Sequence, residues 1–252
     1  MLVLKLTLVP LLIACVTMIG RRWGARIAGM FAAMPVVAGP IAMFLTLEQG
    51  VAFGTHAAVG AVAAVAALLV FFLAYAWASR RFDWPGALGC SLLAWGVAAS
   101  AIASLPGRIE LAAAMALAGL FATPALMPPL DARPRLPVAP PRLDLPIRML
   151  AGALLTLLVT AVATRVGEAW SGLLTAFPVI TLVLGVFTHR EAGAGQVAQL
   201  FRGMAFGLYA FCGFFITLSL LLPRSGLAPA FLAAIGVAVT VQAMVGRIVA
   251  RR

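Results

Sequence analysis

Long apolar runs follow one another along this chain with little between them, and they decide what it can fold into. Runs of about 17–25 residues lie at roughly 2–19, 28–46, 54–78, 86–104, 109–127, 147–164, 170–188, 197–222 and 227–246. Coiled as a helix, a run of that length matches the ~30 Å hydrocarbon core of a bilayer. Hydrophobic residues make up 64% of the 252 and charged residues 10%. A soluble domain carries about 25% charged residues, and one core cannot bury so large an apolar share. A soluble enzyme, a DNA-binding domain and a disordered chain are excluded on that ground. The runs are apolar all round, without the alternation that barrel strands need. In lipid the backbone must satisfy itself, which leaves helices. The expected fold is an all-α polytopic integral membrane protein with about nine transmembrane helices.

The charge pattern gives an orientation. A net charge of +11 would suggest nucleic acid in a soluble protein. Here the arginines sit in the short loops between runs. With nine spans, about 14 cations fall on one side: Arg21, Arg22, Arg26, Arg80, Arg81, Arg133, Arg135, Arg142, Arg148, Arg190, Arg202, Arg247, Arg251 and Arg252. Lys5, Arg108, Arg165 and Arg224 fall on the other. The positive-inside bias then puts the N-terminus outside and the C-terminus in the cytoplasm of a bacterial inner membrane. The first run does not read as a cleaved signal, because its arginines follow it and only Lys5 precedes it. Cys15, Cys90 and Cys212 lie inside apolar runs without ligand spacing. The stretch 128–146 holds seven of the 16 prolines and reads as an extended connector. Its arginines can also touch anionic lipid.

A shift of about 143 residues aligns the two ends of the chain without gaps. Val16-Thr17 meet Val159-Thr160, Arg22 meets Arg165, and Pro35 meets Pro178. Phe44 meets Phe187, Glu48 meets Glu191, and Lys5 meets Arg148 as a charge. Gly24, Gly29, Gly50 and Gly60 meet Gly167, Gly172, Gly193 and Gly203. About 14 of the 50 positions from 11 to 60 are identical. Shared leucines mean little in so apolar a chain, but shared Arg, Pro, Glu and Gly at one offset indicate duplication. The expected layout is a first four-helix repeat over 1–105, a linker helix and Pro/Arg-rich loop over 106–146, and a second repeat over 147–252. One odd helix between two four-helix units turns the second unit over, so the repeats are expected to be inverted. The second copy has Thr164 and Ala169 in place of Arg21 and Arg26, as an inverted loop requires.

The run GxxxxxPxxxxxxxxF…E.G, preceded by a glycine-containing loop, resembles the small GlpM-like inner-membrane proteins. Each copy is similar to one whole four-helix member, so the likeness spans about 200 residues. The resemblance implies a fused pair of four-helix units and no particular activity. The copies differ at Gly39 and Pro40, where the second has Leu182 and Val183.

The candidate functional residues follow from the repeat. Pro35 and Pro178 each remove a backbone bond within a span, and Gly39-Pro40 add a second break in the first copy. Interrupted helices at matching positions mark midplane sites in inverted-repeat transporters. Pro35, Gly39, Pro40, Pro178 and Thr181 are therefore candidates to line a central cavity; the alternative is structural kinks that permit close packing. Small residues at Gly29, Ala33, Gly172 and Ala176 read as packing faces. Glu48 and Glu191 end matching spans and are candidate gates, with Arg202 a partner for Glu191; exposed helix termini are the alternative. His189 and His56 are weaker relay candidates, and Arg22 and Arg165 are anion contacts or interfacial anchors. No metal cluster, phosphate loop or close carboxylate pair is present in the sequence, so neither enzyme chemistry nor a cofactor is expected. The expected function is a small secondary transporter or lipid-linked translocator with a midplane site; the alternative is a non-transporting accessory or assembly protein. The expected partners are the bilayer and a small-molecule or lipid substrate, without nucleic acid, and a homodimer is compatible with the sequence.

Overall fold

A computed structural model describes residues 2–129, 143–163 and 178–250. Among these residues the secondary structure is helical, with turns between helices and no strand. The helices are α1 (Leu2–Trp23), α2 (Ala25–Ala32), α3 (Ala38–Gln49), α4 (Val51–Ala78) and α5 (Trp84–Ala103). They continue as α6 (Ile109–Leu126), α7 (Asp144–Ala163), α8 (Val179–Ala192), α9 (Ala194–Ser225) and α10 (Leu227–Ala250). Seven of them, α1, α4, α5, α6, α7, α9 and α10, are long and apolar enough to cross a membrane. The chain is a multi-pass helical membrane protein.

The second apolar run is not one helix. It divides into α2 and α3 at a turn over residues 33–37. Pro35 sits in that turn, has no N–H to donate, and is buried. Helical bonding resumes when the Gly39 N–H donates to the Pro35 carbonyl at 2.8 Å. Pro178 stands just before the first residue of α8, where a missing N–H costs nothing because the first turn has no acceptor for it.

Single-residue joints connect several helices. Gly50 (φ 89°) separates α3 from α4, and Gly193 (φ 81°) separates α8 from α9. An L-residue with a side chain is strained at such angles, so these two glycines are required by the backbone.

Of the seven long helices, α4 and α9 are the most enclosed. Phe71, Phe72 and Tyr75 of α4 close around Phe201 of α9, with the Phe72 and Phe201 rings stacked at 5.0 Å. The α2 backbone lies directly against α9. A Cβ on Gly203 would fall on the Arg26 carbonyl oxygen, one on Gly29 on that of Leu200, and one on Gly207 on that of Met30. Lipid tails are as apolar as leucine, so helix association in a membrane relies on such close packing. This approach sets the distance between Arg26 and the face of α9 that carries Arg202.

Candidate functional site

Two groups of charged side chains gather at the arginine-rich end of the bundle. The first joins α1, α7 and α8. Asp144 opens α7, where a carboxylate suits the positive end of the helix dipole. One turn later Arg148 returns to it, its Nε donating to both Asp144 oxygens at 2.8 and 2.9 Å. The Arg148 Nη2 donates to Glu191 Oε2 at 2.5 Å, and the guanidinium stands 5.0 Å from the Phe187 ring centroid. Arg21, at the end of α1, donates to Asp144 Oδ2 at 2.6 Å. The Asp144 and Arg148 side chains are only 3% and 6% exposed, so each depends on the other for neutralisation. Two cations face two anions, and the cluster is balanced.

This arrangement corrects one expectation. Arg202 is not the partner of Glu191; Arg148 is. Arg202 donates instead to the Pro128 carbonyl, just beyond α6, at 2.7 Å. Geometry explains the difference. Arg148 on α7 faces α8 across the helix ends, whereas Arg202 lies further along α9 on the side turned to α2 and α6.

The second group lines a cavity of about 230 Å³ between α2, α6 and α9. Its walls are Arg26, Thr123, Pro124, Gln199, Arg202, Ala205 and Phe206. Arg26 lies over the Phe206 ring, 5.2 Å from its centroid. The Nε atoms of Arg26 and Arg202 are both buried without a hydrogen-bond partner. Among the described residues that line this cavity there is no carboxylate to face its two arginines.

The remaining candidates are placed as follows. Pro35, Gly39, Pro178 and Thr181 are buried, and Pro40 is half-buried. A Cβ on Gly39 would meet the Phe214 ring of α9 at 3.3 Å, so that glycine serves close packing. The described cavity is lined by none of these five residues. Glu48 is exposed at the end of α3, and Arg22 is exposed at the end of α1. His189 faces Tyr75, with 3.4 Å between Nδ1 and the phenolic oxygen. Arg165, Gly172 and Ala176 lie outside the described residues. Among the described residues no group of three His, Cys, Asp or Glu side chains gathers in a way that could hold a metal ion.

Arg26, Asp144 and Gln199 were not singled out by the sequence. Along the chain, the positions 143 residues from Arg26 and Arg202 hold Ala169 and Val59. Comparison of the chain with protein-family models, with curated proteins and with solved structures gives no match.

Proposed function

We propose that the chain is a small secondary transporter or lipid-linked translocator, made of two inverted four-helix halves that cross the membrane nine times in all. The observation that carries this reading is the repetition of helix ends at the sequence offset. α3 ends at Gln49 and α8 at Ala192; α4 starts at Val51 and α9 at Ala194; α5 starts at Trp84 and α10 at Leu227. Each pair is 143 residues apart, as are the left-handed glycines Gly50 and Gly193. Two inverted halves give two near-equivalent conformations facing opposite sides, which is the basis of alternating access.

Contacts between helix ends support nine crossings. Arg21 meets Asp144, Arg148 meets Glu191, Tyr75 meets His189, and Trp77 donates to the Leu126 carbonyl. All these residues therefore share one face. α7 carries the chain about 30 Å away from that face at 1.5 Å per residue, and Glu191 is back on it. α2 and α3 run beside α9 in the same direction, since Arg26 meets Gly203 and Gly39 meets Phe214. This makes them one broken crossing. A pseudo-two-fold axis between the halves is supported by α4 against α9 and by α1 against α7, each helix packed on its own repeat partner. A Cβ on Gly152 would lie 3.7 Å from Val9, the matching position of the other copy. A residue that meets its own equivalent lies near such an axis. In this reading the arginine-rich face is cytoplasmic, each half is a GlpM-like unit, and Pro35 and Pro178 sit where the broken helices border the substrate path.

The test is flux. The full chain in proteoliposomes should move phosphate, organic phosphates, carboxylates or a fluorescent phospholipid faster than empty liposomes. Pro35→Ala or Pro178→Ala should slow that movement about tenfold without unfolding the protein. No movement above empty liposomes across the panel would remove the transport reading. The balanced Arg21–Asp144–Arg148–Glu191 cluster, which fastens three helix ends together, favours the second reading of a static accessory protein.

A further inference from the structure

We propose that the cavity between α2, α6 and α9 is an anion site for a dianionic phosphate monoester group, carried by a water-soluble phosphate or by a lipid headgroup. The two clusters at this end of the bundle differ in one respect that matters. Around Arg148 every buried charge has a counter-charge. Around Arg26 and Arg202, the described residues that line the cavity supply none. Both side chains are half-buried with a buried, partnerless Nε, and a desolvated cationic donor is costly unless an anion or water joins it.

The chemistry of the walls specifies the ligand. Each guanidinium is a planar fork of N–H donors suited to phosphate oxygens. Arg202 commits one nitrogen to the Pro128 carbonyl, which holds its side chain in place and leaves the partnerless Nε available. Arg26 is steadied on the Phe206 face, and its Nε is likewise without a partner. Gln199 adds an amide donor to the wall. A phosphate monoester carries roughly −1.5 to −2 charges at neutral pH and so balances both arginines, whereas one carboxylate balances only one. The volume of about 230 Å³ equals the share of nearly eight waters, at about 30 Å³ each, enough for a phosphate group and its attached carbons. Because the matching positions are Ala169 and Val59, the site exists in one half only. It is therefore an end subsite and not the symmetric midplane site. Its role as a substrate subsite rests on the translocator reading; anion binding itself does not.

The full chain, purified in a phosphate-free non-ionic detergent, is titrated with inorganic phosphate and, separately, with phosphatidate in mixed micelles. Its melting point should rise by a few degrees with at least one of them and not with chloride at equal ionic strength. A rise with inorganic phosphate identifies a soluble ligand, and a rise with phosphatidate alone identifies a lipid headgroup. Arg26→Gln and Arg202→Gln should each weaken the apparent affinity about tenfold or more, while Arg22→Gln, exposed on the same face, should not. A measurement without variants keeps the test open to refutation if those proteins fail to fold. In the wild-type chain, phosphate or phosphatidate should slow phenylglyoxal modification of Arg26 and Arg202, read by peptide mass spectrometry, and leave Arg22 unaffected. No melting shift with either probe, or equal modification with and without them, overturns the site. Binding without flux counts against transport and leaves the site standing; flux without binding here does the reverse.

Discussion

Gly203→Ala is the substitution whose outcome the packing specifies most closely. The added Cβ would fall on the carbonyl oxygen of Arg26, with the Arg26 carbonyl carbon at 2.8 Å and its Cα at 3.0 Å. These are backbone atoms of a helix and cannot swing aside. α2 must retreat by about 1 Å or more to regain a normal van der Waals separation. Retreat also loosens the Gly29 and Gly207 approaches on the same face, where the obstructing atoms are again backbone carbonyls. Overpacking a close contact costs about 1–3 kcal/mol, and the upper end, about 3 kcal/mol, applies where the neighbour is backbone. The matched control is Gly236→Ala on α10, where an added Cβ meets nothing within 4 Å and the change should stay within about 0.5 kcal/mol. Unfolding of both variants in the same detergent, followed by helical circular dichroism against added denaturing surfactant, gives the comparison. Gly203→Ala should also weaken phosphate binding, because the retreat of α2 carries Arg26 away from Arg202. Equal stability of the two variants would refute the close approach of α2 and α9.

Three further outcomes follow from named contacts. Arg148→Met should destabilise the protein by about 3–5 kcal/mol, because the buried Asp144 loses the Nε donor shared by its two oxygens; Asp144→Asn in the same chain should restore part of it, read as a double-mutant cycle. Gly50→Ala and Gly193→Ala should each cost about 1–2 kcal/mol from positive φ alone, with similar losses at the two sites as the repeat requires, measured by thermal unfolding. Trp77→Phe should cost about 1 kcal/mol or less, because its hydrogen bond to the Leu126 carbonyl is at an exposed helix end; a larger loss would mean that the α4–α6 junction carries more of the fold than its burial indicates.

Much of the architecture was legible because bilayer physics is one-dimensional. Length and hydropathy alone mark helices such as Val51–Ala78 and Ala194–Ser225, and proline chemistry alone marks the break at Pro35. The 143-residue sequence offset is legible because glycines such as Gly50 and Gly193, demanded by backbone angle, stand out against interchangeable leucines. Side-chain partners were not legible in the same way. Arg148 and Arg202 carry the same charge near the same face, and only the packing order of α7, α8 and α9 decides which of them meets Glu191. By sequence alone Asp144 falls in the proline-rich connector, although it opens α7 and is almost fully buried. Arg26 reads as one more topological charge, because nothing in its neighbours along the chain shows that it turns inward beside Arg202. Pairings between helices distant in sequence are set by helix packing, which an apolar sequence with weak amphipathic patterning leaves underdetermined.

The central claim is that the two halves lie in the membrane in opposite senses, and one pair of labels tests it. Gln49 and Ala192 are 143 residues apart, each ending the helix before a glycine of positive φ. In a chain whose three native cysteines are replaced, Gln49→Cys and Ala192→Cys are introduced singly and treated in intact cells with a membrane-impermeant thiol reagent. Gln49→Cys should label from outside, and Ala192→Cys only after the cells are permeabilised. Labelling of both from the same side would contradict inverted halves and, with them, the nine-crossing fold.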